Sequence, residues 1–511
     1  MQMRLFLIGI VAGVFTCLAP FTTHAQRIIY SDPEKEDNLR LNFEIIGRVD
    51  GNFLVFKNNR SRSWITVMDE EMQVTSIEEL GYLPNADRTI NVDFFPYADF
   101  AWMIYQYQRR NVVYCVAAKL DRMGKRLGEL IELDTTHLGF TSDNRLYTVA
   151  GSEDRKKIAL VKVNSRDREL YQLSAFLFNE KMELIRQTKA QIPMEDRTTQ
   201  LGEMMVDNEG SLVFTRFHRS FNDNITKASL LIHRNEEGSL LDYPLSLQGN
   251  WLDDIRLKID NVNKRYLLTS FYAKERRGEV EGYYLLLYDR NTAMPVVEKT
   301  ISFSGDLRQE AKGNATARTA FNDFFIRQII TRRDGGFLIG SEAYYTTSRA
   351  NNWNRWDYLY GSPYMGLNGL YYTSPYSSRL WMGGGGRSTQ AIRYHADNIL
   401  VQSYSPQGML EWSQVIAKSQ YDDESDDLLS FQLMNTGAEL HVLYNQQERR
   451  DKLLNDIVIK PEGQAARNPG LKNLDNGHQF MPARGKQVSA RILLVPTVYR
   501  GFICFAKVEY N

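Results

Sequence analysis

The chain has 511 residues, 43% hydrophobic and 24% charged, the composition of a globular protein able to bury a large core. Lys and Arg number 62 against 62 Asp and Glu, and the charges do not cluster, which argues against nucleic acid and against electrostatic membrane binding. Aromatics reach 12%, with 28 Tyr and 25 Phe, and such rings pack well on pleated sheets.

The first 25 residues read as a secretory signal. Arg4 leads into an apolar run from Leu5 to Leu18, and Thr23-His24-Ala25 supplies a small-residue cleavage site. That run is shorter than the ~20 residues a bilayer span takes. Phe15-Thr16 before Cys17 lacks the small residues a lipidation site would carry. Plain export is expected, to the periplasm, the outer membrane or the medium, with a mature chain of 26–511. No later run is apolar enough to span a membrane. Of the two remaining cysteines, Cys115 and Cys504 each sit in an apolar strand, in units that do not touch, so no disulfide is expected.

From Asn42 onward one unit recurs: apolar run, tight polar turn, apolar run. The driest run of each unit begins at Phe53, Phe100, Ile158, Leu212, Tyr266, Phe337, Leu440 and Ile492, at spacings of 47, 58, 54, 54, 71, 103 and 52 residues. Near-continuous apolar runs suit strands covered on both faces. Turns such as Asp50-Gly51-Asn52, Asn208-Glu209-Gly210 and Asp334-Gly335-Gly336 precede these runs. A second set follows the third strand, including Asp69-Glu70-Glu71-Met72, Asp121-Arg122-Met123-Gly124 and Lys460-Pro461-Glu462-Gly463. Two hairpin turns per unit make four antiparallel strands, the blade of a β-propeller. The last unit, from Gln479, has only three strands, and Arg27 to Ser31 can supply the fourth. The expectation is an all-β, single β-propeller of eight blades, with seven as the alternative, closed by strands from both termini so that no sheet edge stays open.

The opening Tyr30-Ser31-Asp32-Pro33-Glu34-Lys35-Glu36-Asp37, with Asn42-Phe43-Glu44-Ile45-Ile46-Gly47, resembles exported propeller-type proteins of Bacteroidetes bacteria. The closing Met481-Pro482-Ala483-Arg484-Gly485-Lys486-Gln487-Val488-Ser489 does the same. The resemblance implies fold and export; it carries no activity with it.

One loop is greatly enlarged, 347–391 in the sixth unit, between strands two and three and therefore on the top face. It holds Trp353, Trp356 and Tyr358 among nine Trp and Tyr, then a run of four glycines. Such side chains give broad contact area to a protein or a sugar, although a long loop folded over the channel mouth has the same composition. The glycine run has no Lys and no strand-to-helix setting, so it is not a phosphate loop. Asp-Arg pairs recur just before the inner strands, at Asp37-Asn38-Leu39-Arg40, Asp87-Arg88, Asp143-Asn144-Arg145, Asp196-Arg197 and Asp254-Ile255-Arg256. Their repetition favours turn caps and ion pairs over a ligand site, which is normally asymmetric. Acidic runs at Asp253-Asp254 and Asp422 to Asp427 could supply paired carboxylates for glycoside hydrolysis, but such runs are usually solvated surface. No pair among His137, His218, His233, His395, His441 and His478 has metal-ligand spacing, and His441 reads as a hydrogen-bonded core residue. No nucleophile motif is present. The reading is a non-enzymatic binding or scaffolding module, a monomer without cofactor or metal, taking a protein or glycan ligand. Its candidate anchors are Trp353, Trp356 and Tyr358, with Trp251, Arg88, Arg197 and Asp254 at the channel rim. The alternatives are a carbohydrate-active enzyme using rim carboxylates, or a subunit of an envelope assembly.

Overall fold

The computed structural model describes residues 27–510 apart from 35–40, 60–61, 85–87, 139–146, 165–168, 197, 221–222, 235–237, 313–319, 349–351, 354–391, 424, 449–450 and 469–475. The signal segment and most of the 347–391 loop thus lie outside the described residues.

Eight antiparallel sheets follow one another along the chain, each running from an inner to an outer strand. Blade 1 is Asn42–Val49, Asn52–Asn58, Ser63–Met68 and Val74–Glu79, in that order. Blades 2 to 7 repeat the order, and the second strands are the expected dry runs, such as Arg265–Ala273, buried at eight of nine positions. In blade 8 the inner strand is split into Gln479–Phe480 and Lys486–Ser489, followed by Ile492–Tyr499 and Phe502–Glu509. Its outermost strand is Arg27–Tyr30, which pairs antiparallel with Phe502–Glu509 in the register Arg27↔Glu509 to Tyr30↔Ala506. The eight-blade propeller closed by both ends is the fold. No helix among the described residues is long and apolar enough to cross a membrane.

The outer hairpins of blades 1, 2, 3, 5 and 6 turn on one device, a side-chain oxygen that accepts turn amides. Asp69 Oδ1 accepts the Glu71 and Gln73 amides, and Asp121 Oδ1 those of Met123 and Lys125. The fourth turn residue then takes positive φ, 59° at Met72, 62° at Met182 and 88° at Gly463, and a bulge follows in the strand. These corners lie on the bottom face and abut the preceding blade. At Gly463 a Cβ would come within 2.6 Å of Trp412, whose indole donates to the Pro461 carbonyl at 2.8 Å.

Seams between blades combine apolar packing with a few buried polar links. Between blades 4 and 5, fully buried Asp207 accepts from the Tyr266 hydroxyl at 2.8 Å and Arg290 Nη1 at 2.9 Å. Between blades 6, 7 and 8, Lys418 Nζ lies 2.8 Å from Glu342 and donates to Gln420 at 2.8 Å. Gln420 in turn donates to the Asn445 carbonyl, and Asn445 Nδ2 to Phe480 O. Removing one member would strand a buried charge or dipole, so these links fix how neighbouring blades dock. His441 is a core residue as expected, its Nδ1 2.9 Å from Asp456. Cys115 in blade 2 and Cys504 in blade 8 are both buried free thiols.

The N-terminal strand serves two seams at once. Ile28 and Tyr30 pack on the cluster of Met434, Leu443 and Leu493 toward blade 7. Ile29 faces the cluster of Phe43, Trp64 and Phe505 toward blade 1. Ser31 adds a reciprocal pair with Phe505, N to O at 2.8 Å and Oγ from N at 2.9 Å. Deleting residues 26–31 is therefore expected to lower the unfolding free energy by on the order of 4 kcal/mol. Appending the same residues to the C-terminus through a glycine-rich linker should restore most of it, read from urea midpoints. An unchanged midpoint on deletion would contradict the role assigned to this strand.

Candidate functional site

The top face carries the loops between strands two and three and the connections between blades. The enlarged loop leaves from this face. Strands Phe337–Ser348 and Ile392–Tyr404 pair from Phe337↔Tyr404 to Ser348↔Ile392, with a register shift between Glu342 and Tyr344. A short strand, Asn352–Trp353, turns back to pair with Thr346 and Thr347. Trp353 is thus placed by its backbone, whereas Trp356 and Tyr358 lie outside the described residues.

A cavity of about 600 Å³ opens on the same face, at the top of blade 4 beside the end of blade 3. Leu212–His218 climbs to it, and Lys227–Arg234 descends from it. The connection from Leu245 to Gly249 closes its outer side. Arg216 is its central cation, 2.7 Å from Asp242, with Nη1 donating to Pro193 O of blade 3 at 2.9 Å. Lys227 and Glu195 form an exposed pair at 3.0 Å across the mouth. Phe217, Ala228, Pro244 and Leu247 supply the apolar wall. His218 lies 3.1 Å from the Thr198 hydroxyl and 3.5 Å from Asp196. Concave walls with a few fixed charges among apolar groups are what small polar ligands and sugar or peptide segments occupy.

The channel is lined by the inner strands, and single charges sit at its wall. Glu44 of blade 1 is flanked by Asp93 of blade 2 and Lys486 of blade 8, all partly buried. Lys486 Nζ donates to Ile45 O at 3.0 Å and Ile46 O at 3.1 Å, and Asp93 accepts from Asn91 at 2.7 Å. Further round, Glu203 of blade 4 interacts with Arg256, Asp254 and Lys258 of blade 5, and burial raises its carboxyl pKa against the pull of Arg256.

The rim residues expected from sequence are dispersed. Arg88 is exposed at the entry to blade 2, its carbonyl accepting from Gln108 N at 3.0 Å. Trp251 opens the inner strand of blade 5, partly buried and opposite Ala273. Asp254 pairs with Arg256 at 3.1 Å. Arg197 lies outside the described residues, within the segment whose Glu195 and Thr199 line the cavity. Trp251 follows two residues after cavity-lining Gly249. The recurrent aspartates that are described act locally. Asp196 Oδ1 accepts the Thr198 and Thr199 amides, and its bond from the Thr198 hydroxyl holds the carboxyl below its usual range. Asp427 reaches Arg484 of blade 8 at 2.6 Å. The acidic runs are likewise committed. Asp253 accepts from Asn224 at 2.9 Å, Asp423 holds Arg393 with bonds of 2.7 and 3.0 Å, and Asp426 accepts the Tyr344 hydroxyl. Among the described residues no group of three or more His, Cys, Asp or Glu is arranged to hold a metal ion.

Sequence reasoning missed Glu44, Asp93, Arg216 and Asp242. Their signal was present, as lone charges inside otherwise apolar runs, for example Phe43-Glu44-Ile45 and Val92-Asp93-Phe94.

Burial pushes the Glu44 carboxyl up from 4.5 to about 7, with Lys486 opposing the rise and Asp93 adding to it. A raised carboxyl pKa means that the native state binds the proton more tightly than the unfolded chain. The stabilisation is then full below about 4.5 and lost as pH rises through about 7. The melting temperature of the wild type relative to Glu44→Gln is expected to fall between those values. A difference flat across that range would contradict the assignment.

No protein-family model matches the sequence, and no curated protein matches it. Among solved structures it is similar to the β-propeller domain of Nup133 from Vanderwaltozyma polyspora, with TM-score 0.37 and 8% identity, covering 83% of this chain and 100% of that domain. It is also similar to prolyl oligopeptidase B from Galerina marginata, with TM-score 0.38 and 9% identity, covering 94% of this chain but only 56% of the peptidase. A third similarity is to an apocarotenoid oxygenase of Synechocystis, with TM-score 0.33 and 7% identity, over 76% and 75% of the two chains. Likenesses this distant say nothing of activity, and the propeller is read from the strand order itself.

Proposed function

We propose that this chain is an exported, non-enzymatic binding propeller, of the kind found in Bacteroidetes, that takes a protein or glycan ligand on its top face. The observation that carries the reading is the cavity of about 600 Å³ beside blade 4, which shares that face with the aromatic 347–391 loop. Arg216, Asp242 and Lys227 offer donors and acceptors to polar groups, and Phe217 and Leu247 an apolar wall. Trp353, Trp356 and Tyr358 supply the rigid aromatic contact area on which affinity usually concentrates. The rim carboxylates on which a carbohydrate-active enzyme would draw are engaged with Arg256, Arg393 and Tyr344.

The test is a glycan array and a peptide array probed with residues 26–511, followed by affinity measurements on each hit. Lys227→Glu at the cavity mouth, and separately a loop variant lacking residues 350–387, should each weaken binding by about thirtyfold or more while leaving the melting curve unchanged. The strands flanking the loop pair with each other directly, so the loop variant is expected to fold. Undiminished affinity in both variants would remove the top face from the account, and turnover of a bound glycan would favour the enzyme.

A further inference from the structure

The charges of the cavity beside blade 4 come as matched pairs. Arg216 stands 2.7 Å from Asp242, and Lys227 stands 3.0 Å from Glu195. The first pair lies inside, with side chains 13% and 37% exposed, and the second lies at the mouth, 69% and 55% exposed. His218, also in the lining, is engaged by Thr198 and Asp196. Thr226 and Gln248 add an exposed hydroxyl and an exposed amide.

Each ion pair sets a condition on what can sit against it. A carboxylate drawn to Arg216 would meet Asp242 beside it, and an ammonium drawn to Asp242 would meet Arg216, so neither gains much. A hydroxyl carries one donor and two acceptor lone pairs, so it accepts from the guanidinium and donates to the carboxylate at once. Neighbouring hydroxyls on a sugar ring repeat that pattern, and the C–H surface of the ring suits the wall of Phe217, Pro244 and Leu247.

A peptide also alternates donors and acceptors, but the strands at the cavity leave it no main-chain partners. Leu212–His218 is paired on both sides there, with Thr199–Leu201 and with Lys227–Arg234. The outer strand Ser239–Pro244 ends at a proline, which has no N–H. The next amides are taken, Leu245 N by Ala228 O at 2.8 Å and Ser246 N by Glu298 at 2.6 Å. The cavity therefore offers no open strand edge to an extended peptide.

We propose that this cavity binds a short neutral oligosaccharide, an inference that rests on the top-face binding reading and narrows its ligand. The test is calorimetric titration of residues 26–511 with neutral trisaccharides of glucose, mannose, galactose, xylose and N-acetylglucosamine. Trigalacturonate, triglucosamine and a peptide array serve as charged and peptidic comparisons. At least one neutral trisaccharide should bind about tenfold or more tightly than either charged one. Its affinity should change less than about twofold between about 50 and about 500 mM NaCl. Asp242→Asn leaves Arg216 unbalanced, so it should weaken the neutral sugar about tenfold and strengthen trigalacturonate. Glu195→Gln, at the exposed mouth, gives the same directions with smaller changes if Asp242→Asn fails to fold. Tighter binding of a charged trisaccharide by wild type, or no binding of any neutral one, would overturn the proposal. Peptides that lose affinity in Lys227→Glu would overturn the sugar and keep the top-face site. A neutral sugar indifferent to both Lys227→Glu and Asp242→Asn would overturn the site itself.

Discussion

The pairing of Arg27–Tyr30 with Phe502–Glu509 is the constraint on which the molecule depends. Without it, blade 8 would keep three strands and expose the amides and carbonyls of its outer edge. The same four residues send Ile28 and Tyr30 toward blade 7 and Ile29 toward blade 1. Tyr30 stacks on His478 at 4.0 Å, and His478 on Tyr499 at 4.5 Å, so one aromatic sandwich locks the N-terminal strand to the body of its blade. Lys57 of blade 1 adds a buried ammonium held by Glu34 at 3.2 Å over the Phe505 ring. Ring closure is therefore not one contact but a small apolar core with charges at its margin.

Much of this was legible in the sequence because blade physics is local. A second strand covered on both faces is near-continuously apolar, and Phe53-Leu54-Val55-Phe56 or Ile492-Leu493-Leu494-Val495 announces that. Corner turns favour an Asx or Ser side chain and a residue that tolerates positive φ, hence Asp121 with Gly124 and Ser405 with Gly408. The closing strand could be inferred from a deficit, three strands where the other units have four. Split inner strands were not read from the sequence, although Gln479–Phe480 and Lys486–Ser489 are interrupted by a short turn of helix at Pro482–Arg484 that Pro482 and Gly485 mark.

The site was less legible, for a physical reason. A ligand surface on a propeller is assembled from residues on separate strands and connections, and their convergence depends on blade geometry rather than on any local pattern. Arg216, Asp242 and Glu195 meet because strand ends from blades 3 and 4 reach one rim, and no motif links them. The aspartate-arginine pattern was conspicuous, yet its described members cap turns and bridge neighbours, as Asp196 and Asp427 do. The repeat that reveals the fold thereby obscures the site, because whatever recurs in every blade serves the blade.

Hydrogen exchange read by mass spectrometry on the native protein tests ring closure most directly. Peptides that hold Ile28 to Ser31 and Phe505 to Val508 should be protected together, and to the same depth as the second strand of blade 1. Exchange of the N-terminal peptide within seconds, with the rest of the ring still protected, would show that this strand is a loose tail and that the propeller closes by another means.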